Sequence, residues 1–132
     1  MLEFEYFKCK ETERNAKLTV HKNGKAGFSE AANKLMNLDE WEWCAFARDK
    51  NETGGKYIYI VKMTEQNDYT FSLNKSGNYY YIKALSLLND LGIDYSDESK
   101  RVIFDITAID NNGQTVYKLT KREIKKRNKK AE

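Results

Sequence analysis

The 132-residue chain has no proline, one histidine, two cysteines and no hydrophobic run approaching membrane-spanning length. A helix that crosses a bilayer needs roughly 20 apolar residues, so none is expected here. The opening Met1-Leu2-Glu3-Phe4-Glu5 carries acid where a secretory leader carries base and then an apolar stretch. That argues against a signal peptide and for a soluble, cytoplasmic chain. Cys9 and Cys44 are too few for a disulfide framework and form no close pair, so reduced thiols and no metal are expected. His21 has no recognisable partner to orient it, and reads as a surface histidine beside a turn. No Gly-rich phosphate loop leads into a helix. The carboxylate pairs Asp39/Glu40 and Asp97/Glu98 lie in polar connectors. Hydrolysis by paired acids needs them to face each other across a cleft. Together these shortages argue against an enzyme, a cofactor or a small-molecule substrate. With proline missing, the turns fall to Gly and Asn.

What is present suits one small domain. Hydrophobic residues make up 40% of the chain, 17 of them aromatic, which is enough for a core, and charged residues make up 33%. The net charge of +3 is unevenly spread. Residues 118–132 hold eight Lys/Arg against two Asp/Glu, which leaves the rest of the chain slightly acidic. The C-terminal end is therefore the part that attracts a polyanion.

Leu18 to Leu38 carries the clearest local grammar. Leu18 and Val20 alternate with Thr19 and His21, as in a half-buried strand. Asn23-Gly24 reads as a type I′ turn, which needs positive φ twice. Lys25 to Phe28 returns as a strand, Ser29 is placed to cap a helix, and Ala31, Ala32, Leu35 and Leu38 follow at helical spacing. Strands are further expected at Leu2–Lys10, Trp41–Asp49 and Lys56–Met63, the last with two apolar faces. The pattern then restarts. Thr70–Leu73 and Asn78–Ile82 read as strands around Ser76-Gly77, Lys83–Leu91 as a helix ended by Gly92, and Arg101–Asp110 and Gln114–Thr120 as a hairpin turning at Asn112-Gly113.

Setting Gly24 on Gly77 aligns Leu18 with Phe71, Phe28 with Tyr81, Ala31 with Ala84, Leu35 with Leu88 and Leu38 with Leu91. The expected fold class is therefore α+β. It is a tandem ββαββ repeat, residues 17–63 and 70–120, in a mostly antiparallel sheet with two short helices and an added N-terminal strand. Residues 1–120 would be one domain and 121–132 a flexible basic tail. Neither half buries much surface alone, so the two would share a core.

The run of strand, Gly turn, strand, capped helix and hairpin between Leu18 and Val61 resembles the AbrB/SpoVT swapped-hairpin DNA-binding family, with an echo from Phe71 to Leu119. Where that family commonly has an apolar residue and proline before the helix, this chain has Phe28-Ser29 and Tyr81-Ile82. The resemblance implies two interlaced units in a small barrel, and DNA contacts from hairpin bases, which here are Lys22, Lys25 and Lys75. Trp43 to Leu91, read as ββββα, is similar to the PC4/Whirly/Pur-type single-stranded nucleic-acid-binding folds, which implies paired units and aromatics that stack on bases.

The functional expectation is a small intracellular nucleic-acid-binding protein with a role in regulating transcription, acting on DNA rather than RNA as a homodimer. Its contacts would be Lys22, Lys25, Lys75 and Tyr80, with Lys121, Arg122, Lys125 and Lys126 of the tail. Alternation sends Tyr79 and Tyr81 one way and Tyr80 the other, and aromatics on a strand also serve simply to fill a half-buried sheet. The competing expectation is a non-enzymatic protein-interaction or assembly module that uses its Tyr/Trp-rich strands.

Overall fold

The structure is a computed structural model that describes residues 1–7, 16–52, 57–97 and 99–125. The chain enters the sheet with β1 (Lys17–Val20) and β2 (Lys25–Phe28), then forms α1 (Glu30–Met36) and a single 3-10 turn at Leu38–Glu40. β3 (Trp43–Ala47), β4 (Tyr57–Met63), β5 (Thr70–Ser72), β6 (Asn74–Ser76) and β7 (Tyr79–Lys83) follow. After α2 (Leu85–Asp90), the long β8 (Lys100–Asn111) and β9 (Gln114–Lys125) complete the fold.

The nine strands make one sheet in the order β5-β3-β4-β9-β8-β1-β2-β7-β6, rolled into a nearly closed barrel. Its two end strands, β5 and β6, are separated by Leu73 alone. Two residues of extended chain span at most about 7 Å, so this link draws the sheet's ends together. The Leu73 N–H donates to the Glu42 carbonyl (3.1 Å), which carries the β3–β5 pairing one residue further, into the link. Inside lie Leu18, Ile60, Ile82 and Leu119, all fully buried, with Phe104 and Tyr117 beside them.

This overturns the expected tandem ββαββ organisation. Of the described residues 49% are in strands and 14% in helices, so the fold is sheet-dominated rather than α+β. At 1.5 Å per residue α1 and α2 are each about 10 Å long, too short to form a layer. Strands also pair across the supposed boundary between units, β2 with β7 and β4 with β9. The expected N-terminal strand is likewise corrected where it is described. Residues 1–7 form no strand, and Leu2, Phe4, Tyr6 and Phe7 are exposed; Lys8–Lys10 lie outside the described residues. The expected tail is corrected too, since Lys121–Lys125 continue β9, while 126–132 lie outside the described residues.

Local chemistry explains the turns and caps. Asn112 (φ 53°) and Gly113 (φ 87°) both take left-handed backbone and join β8 to β9 in a two-residue turn. The β1–β2 connection differs from the expected type I′ form. Only Gly24 has positive φ (84°), the Gly24 N–H donates to the His21 carbonyl and the His21 N–H donates to the Lys25 carbonyl. This is a three-residue loop ending in a left-handed glycine. Ser29 caps α1 as expected, accepting at Oγ from Ala32 N–H (3.1 Å) and also from Lys17 N–H (2.9 Å). Asn37, left-handed at φ 57°, ends α1. Trp41 lies outside β3, buried, with its indole N–H donating to the Met36 carbonyl and its ring against Tyr117. Gly92 follows α2 with φ 69°, as the sequence indicates.

Candidate nucleic-acid interface

The register of β1, β2 and β7 sorts their side chains onto two faces. Leu18 opposite Phe28, Val20 opposite Ala26 and Ala26 opposite Ile82 point into the barrel. Thr19 opposite Gly27 and Gly27 opposite Tyr81 therefore point outward, as do Lys25 and its partner Lys83. Tyr79, two residues before Tyr81, joins this outer face and is 43% exposed.

The two tyrosines form a pair, with ring centroids 6.1 Å apart and planes 21° from parallel. The Lys25 ammonium lies 4.8 Å from the centre of the Tyr81 ring, within range of a cation–π contact. The hydroxyl end of the Tyr79 ring reaches over β2 at Gly27. A Cβ at that position would sit 1.5 Å from the Tyr79 hydroxyl oxygen and 2.4 Å from Cζ. Gly27 is thus required for close approach of the ring, not for its backbone angle.

Beyond Gly27 the Tyr79 hydroxyl meets His21 Nε2 at 2.9 Å. Burial, and then the nearby Arg101 charge, push the His21 pKa below its usual value, which favours the neutral ring. Burial pushes the Tyr79 hydroxyl up, which keeps its proton on. With Nδ1 carrying the imidazole proton, Tyr79 donates and Nε2 accepts.

His21 also borders an open cleft of about 300 Å³. The β1–β2 loop supplies His21, Lys22 and Asn23, the segment after α2 supplies Tyr95, and the start of β8 supplies Lys100 and Arg101. Among the described residues that line it there is no carboxylate. The larger cleft around Lys34 and Lys75, about 600 Å³, is also lined by Glu30 and Asp39. An apolar groove of about 420 Å³ by Tyr59 and Val61 carries Arg48 beside Asp49. Of the three, the first is the one whose described lining residues carry positive charge without a carboxylate, which favours an anion there.

The structure brings together some of the sequence-derived contact residues and disperses others. Lys22 and Lys25 belong to this face. Lys125 stands opposite Lys100 in the β8–β9 register, so it faces the same way at the cleft's edge. Lys75 and Tyr80 belong elsewhere. Tyr80 is 5% exposed and its hydroxyl donates to Asp39, which raises its pKa first through that bond and then through burial. Lys75 Nζ lies 3.9 Å from the same Asp39 oxygen and 5.4 Å from the Tyr80 ring centre. This cluster fastens the 3-10 turn to β6 and β7, so Tyr80, expected as an exposed contact, is corrected to a buried residue, and the tyrosines of β7 that face outward are Tyr79 and Tyr81. Arg122 is held by Asp105 through two hydrogen bonds (2.9 and 3.1 Å), and Lys121 is an exposed strand residue. Lys126 lies outside the described residues.

Gly27, Lys83, Tyr95, Lys100 and Arg101, which belong to this face or its cleft, are not singled out as functional residues by the sequence pattern. Arg101 is about 80 positions from His21, and only the pairing of β1 with β8 makes them neighbours. Gly27 had a visible signal, a glycine inside a strand pattern, which marks close approach.

Fold and site together define a nearly closed antiparallel barrel with a basic, tyrosine-bearing outer face. Comparison with family models, with curated proteins and with solved structures finds no match for this chain. Neither an AbrB-like nor a PC4-like unit is identified by these comparisons. Among the described residues, no helix is long and apolar enough to cross a membrane.

Proposed function

We propose that this chain is a non-enzymatic nucleic-acid-binding protein that docks its ligand on the outer face of β1, β2 and β7. The observation that carries this reading is the cleft to which Lys22, Lys100 and Arg101 contribute, with no carboxylate among its described lining residues, opening beside a lysine-flanked tyrosine pair. Phosphates neutralised there release counterions, so affinity falls as salt rises. Fluorescence-anisotropy titration with DNA and RNA oligonucleotides at two salt concentrations tests it. The double variant Lys100→Gln/Arg101→Gln is expected to weaken binding to all sequences and to flatten the salt slope by about 1.4 to 1.8, at roughly 0.7–0.9 per phosphate contact. Absence of binding at low salt ends the reading. So does full loss of binding in a chain shortened after Lys125, because the face would then contribute nothing.

A second reading rests on the N-terminal segment. Leu2, Phe4, Tyr6 and Phe7 are all exposed within seven residues, with the Phe4 and Tyr6 rings 6.4 Å apart, and contiguous apolar exposure marks a protein contact. Under this reading the chain is an assembly module, and light scattering would show an oligomer that is lost when residues 1–7 are removed.

A further inference from the structure

We propose that the ligand is single-stranded, with an unpaired base stacked on the Tyr79–Tyr81 pair and the adjoining phosphate in the cleft of His21, Lys22, Lys100 and Arg101. This rests on the nucleic-acid reading above and narrows it to one class of strand. Three features of the face carry it.

The first is the tyrosine pair itself. Base faces are hidden inside a duplex and are free only in single strands, where aromatic rings on a sheet stack against any of them. Tyr79 and Tyr81 lie nearly parallel on the outer face, and the hydroxyl end of Tyr79 fits against β2 only because Gly27 has no side chain. The second is contiguity. His21 touches Tyr79 on one side and lines the cationic cleft on the other, so base site and phosphate site adjoin within one residue.

The third is what the face lacks for reading a duplex. A major groove admits a helix or a two-stranded ribbon that projects from the body. The β1–β2 ribbon does not project. The Gly24 carbonyl accepts from Ala84 N–H (2.9 Å), and the Leu85 side chain is so close to Gly24 that an added Cβ would sit 2.4 Å from it. Its tip is fastened to the start of α2. The opposite ribbon, β8–β9, turns at Asn112-Gly113 beside Asp110, which is the wrong charge for a phosphate-lined groove.

The test compares one oligonucleotide as a single strand, as a duplex, and as a single strand with abasic positions but unchanged phosphates. Each is titrated against the full chain and against Tyr81→Leu, Tyr79→Leu and Lys100→Gln/Arg101→Gln, at low and moderate salt. The single strand is expected to bind at least tenfold tighter than the duplex. Each tyrosine variant is expected to lose roughly 5- to 150-fold for the single strand, at an unchanged salt slope. The abasic strand should bind the full chain and the tyrosine variants alike, since it has no base to stack. Circular dichroism and thermal melting of each variant separate lost contacts from lost folding. Equal binding of all three ligands, with the tyrosine variants silent, overturns the single-strand assignment and leaves nucleic-acid binding standing. No binding of any ligand overturns both.

Discussion

Gly27 and Tyr79 form the tightest coupling on the outer face, and their contact has a testable cost. Gly27→Ala puts a methyl where the Tyr79 ring lies. Overpacking of this kind costs roughly 1–3 kcal/mol, and the His21–Tyr79 bond should go with it. The further change Tyr79→Ala removes the obstacle, so the double variant should melt above the Gly27→Ala single in thermal denaturation. His21 gives a pH signature. Its pKa is lowered in the fold, so the unfolded chain binds more protons just below the ordinary value of 6.5. Its contribution to stability is complete above pH 6.5 and is lost as pH falls toward the folded value. As the chain's one histidine it gives a single imidazole titration by NMR, expected to have its midpoint below 6.5. Cys44 is fully buried and burial pushes its thiol up to about 12. In a Cys9→Ser chain it should therefore label with thiol reagents only as fast as the barrel opens.

At the scale of elements, capping and turn chemistry were legible residue by residue. Ser29 was readable as a cap because a hydroxyl before an apolar helical stripe has one obvious task. Its second bond, from Lys17 N–H, was not readable, since it crosses from α1 to the first residue of β1. Ser29→Ala loses both bonds and should cost about 2 kcal/mol, at the upper end for a helix cap, as measured by denaturant unfolding. Asn112-Gly113 formed the two-residue turn its dipeptide suggests, whereas Asn23-Gly24 did not. The difference lies in surroundings: Gly24 is buried against Leu85, and the loop that packs there has three residues. Leu35 kept its helical spacing but is 44% exposed, while Met36 took the core position beside Ala32.

For the whole molecule, closure of the sheet decides stability and access. Leu119 sits fully buried in β9, with Ile58 and Ile106 opposite it on either side. Leu119→Ala should cost roughly 2–5 kcal/mol through lost transfer energy and the cavity left behind. Hydrogen exchange should be slowest in β8, β9 and β1, which lie mid-sheet, and fastest in the three-residue end strands β5 and β6.

Alternation of apolar and polar residues, and the glycines and asparagines between them, determined most strands, the α1 cap and the stop after α2, because these depend on neighbours a few residues away. The tertiary structure alone decided that strands from both halves pair into one barrel, that Tyr80 turns inward to Asp39, and that Tyr79 and Tyr81 face out beside His21 and Arg101. Cross-strand pairing joins residues tens of positions apart, and no local pattern records which distant strand supplies the partner. A basic cleft built from positions 22, 100 and 101 therefore exists only once β1 lies against β8.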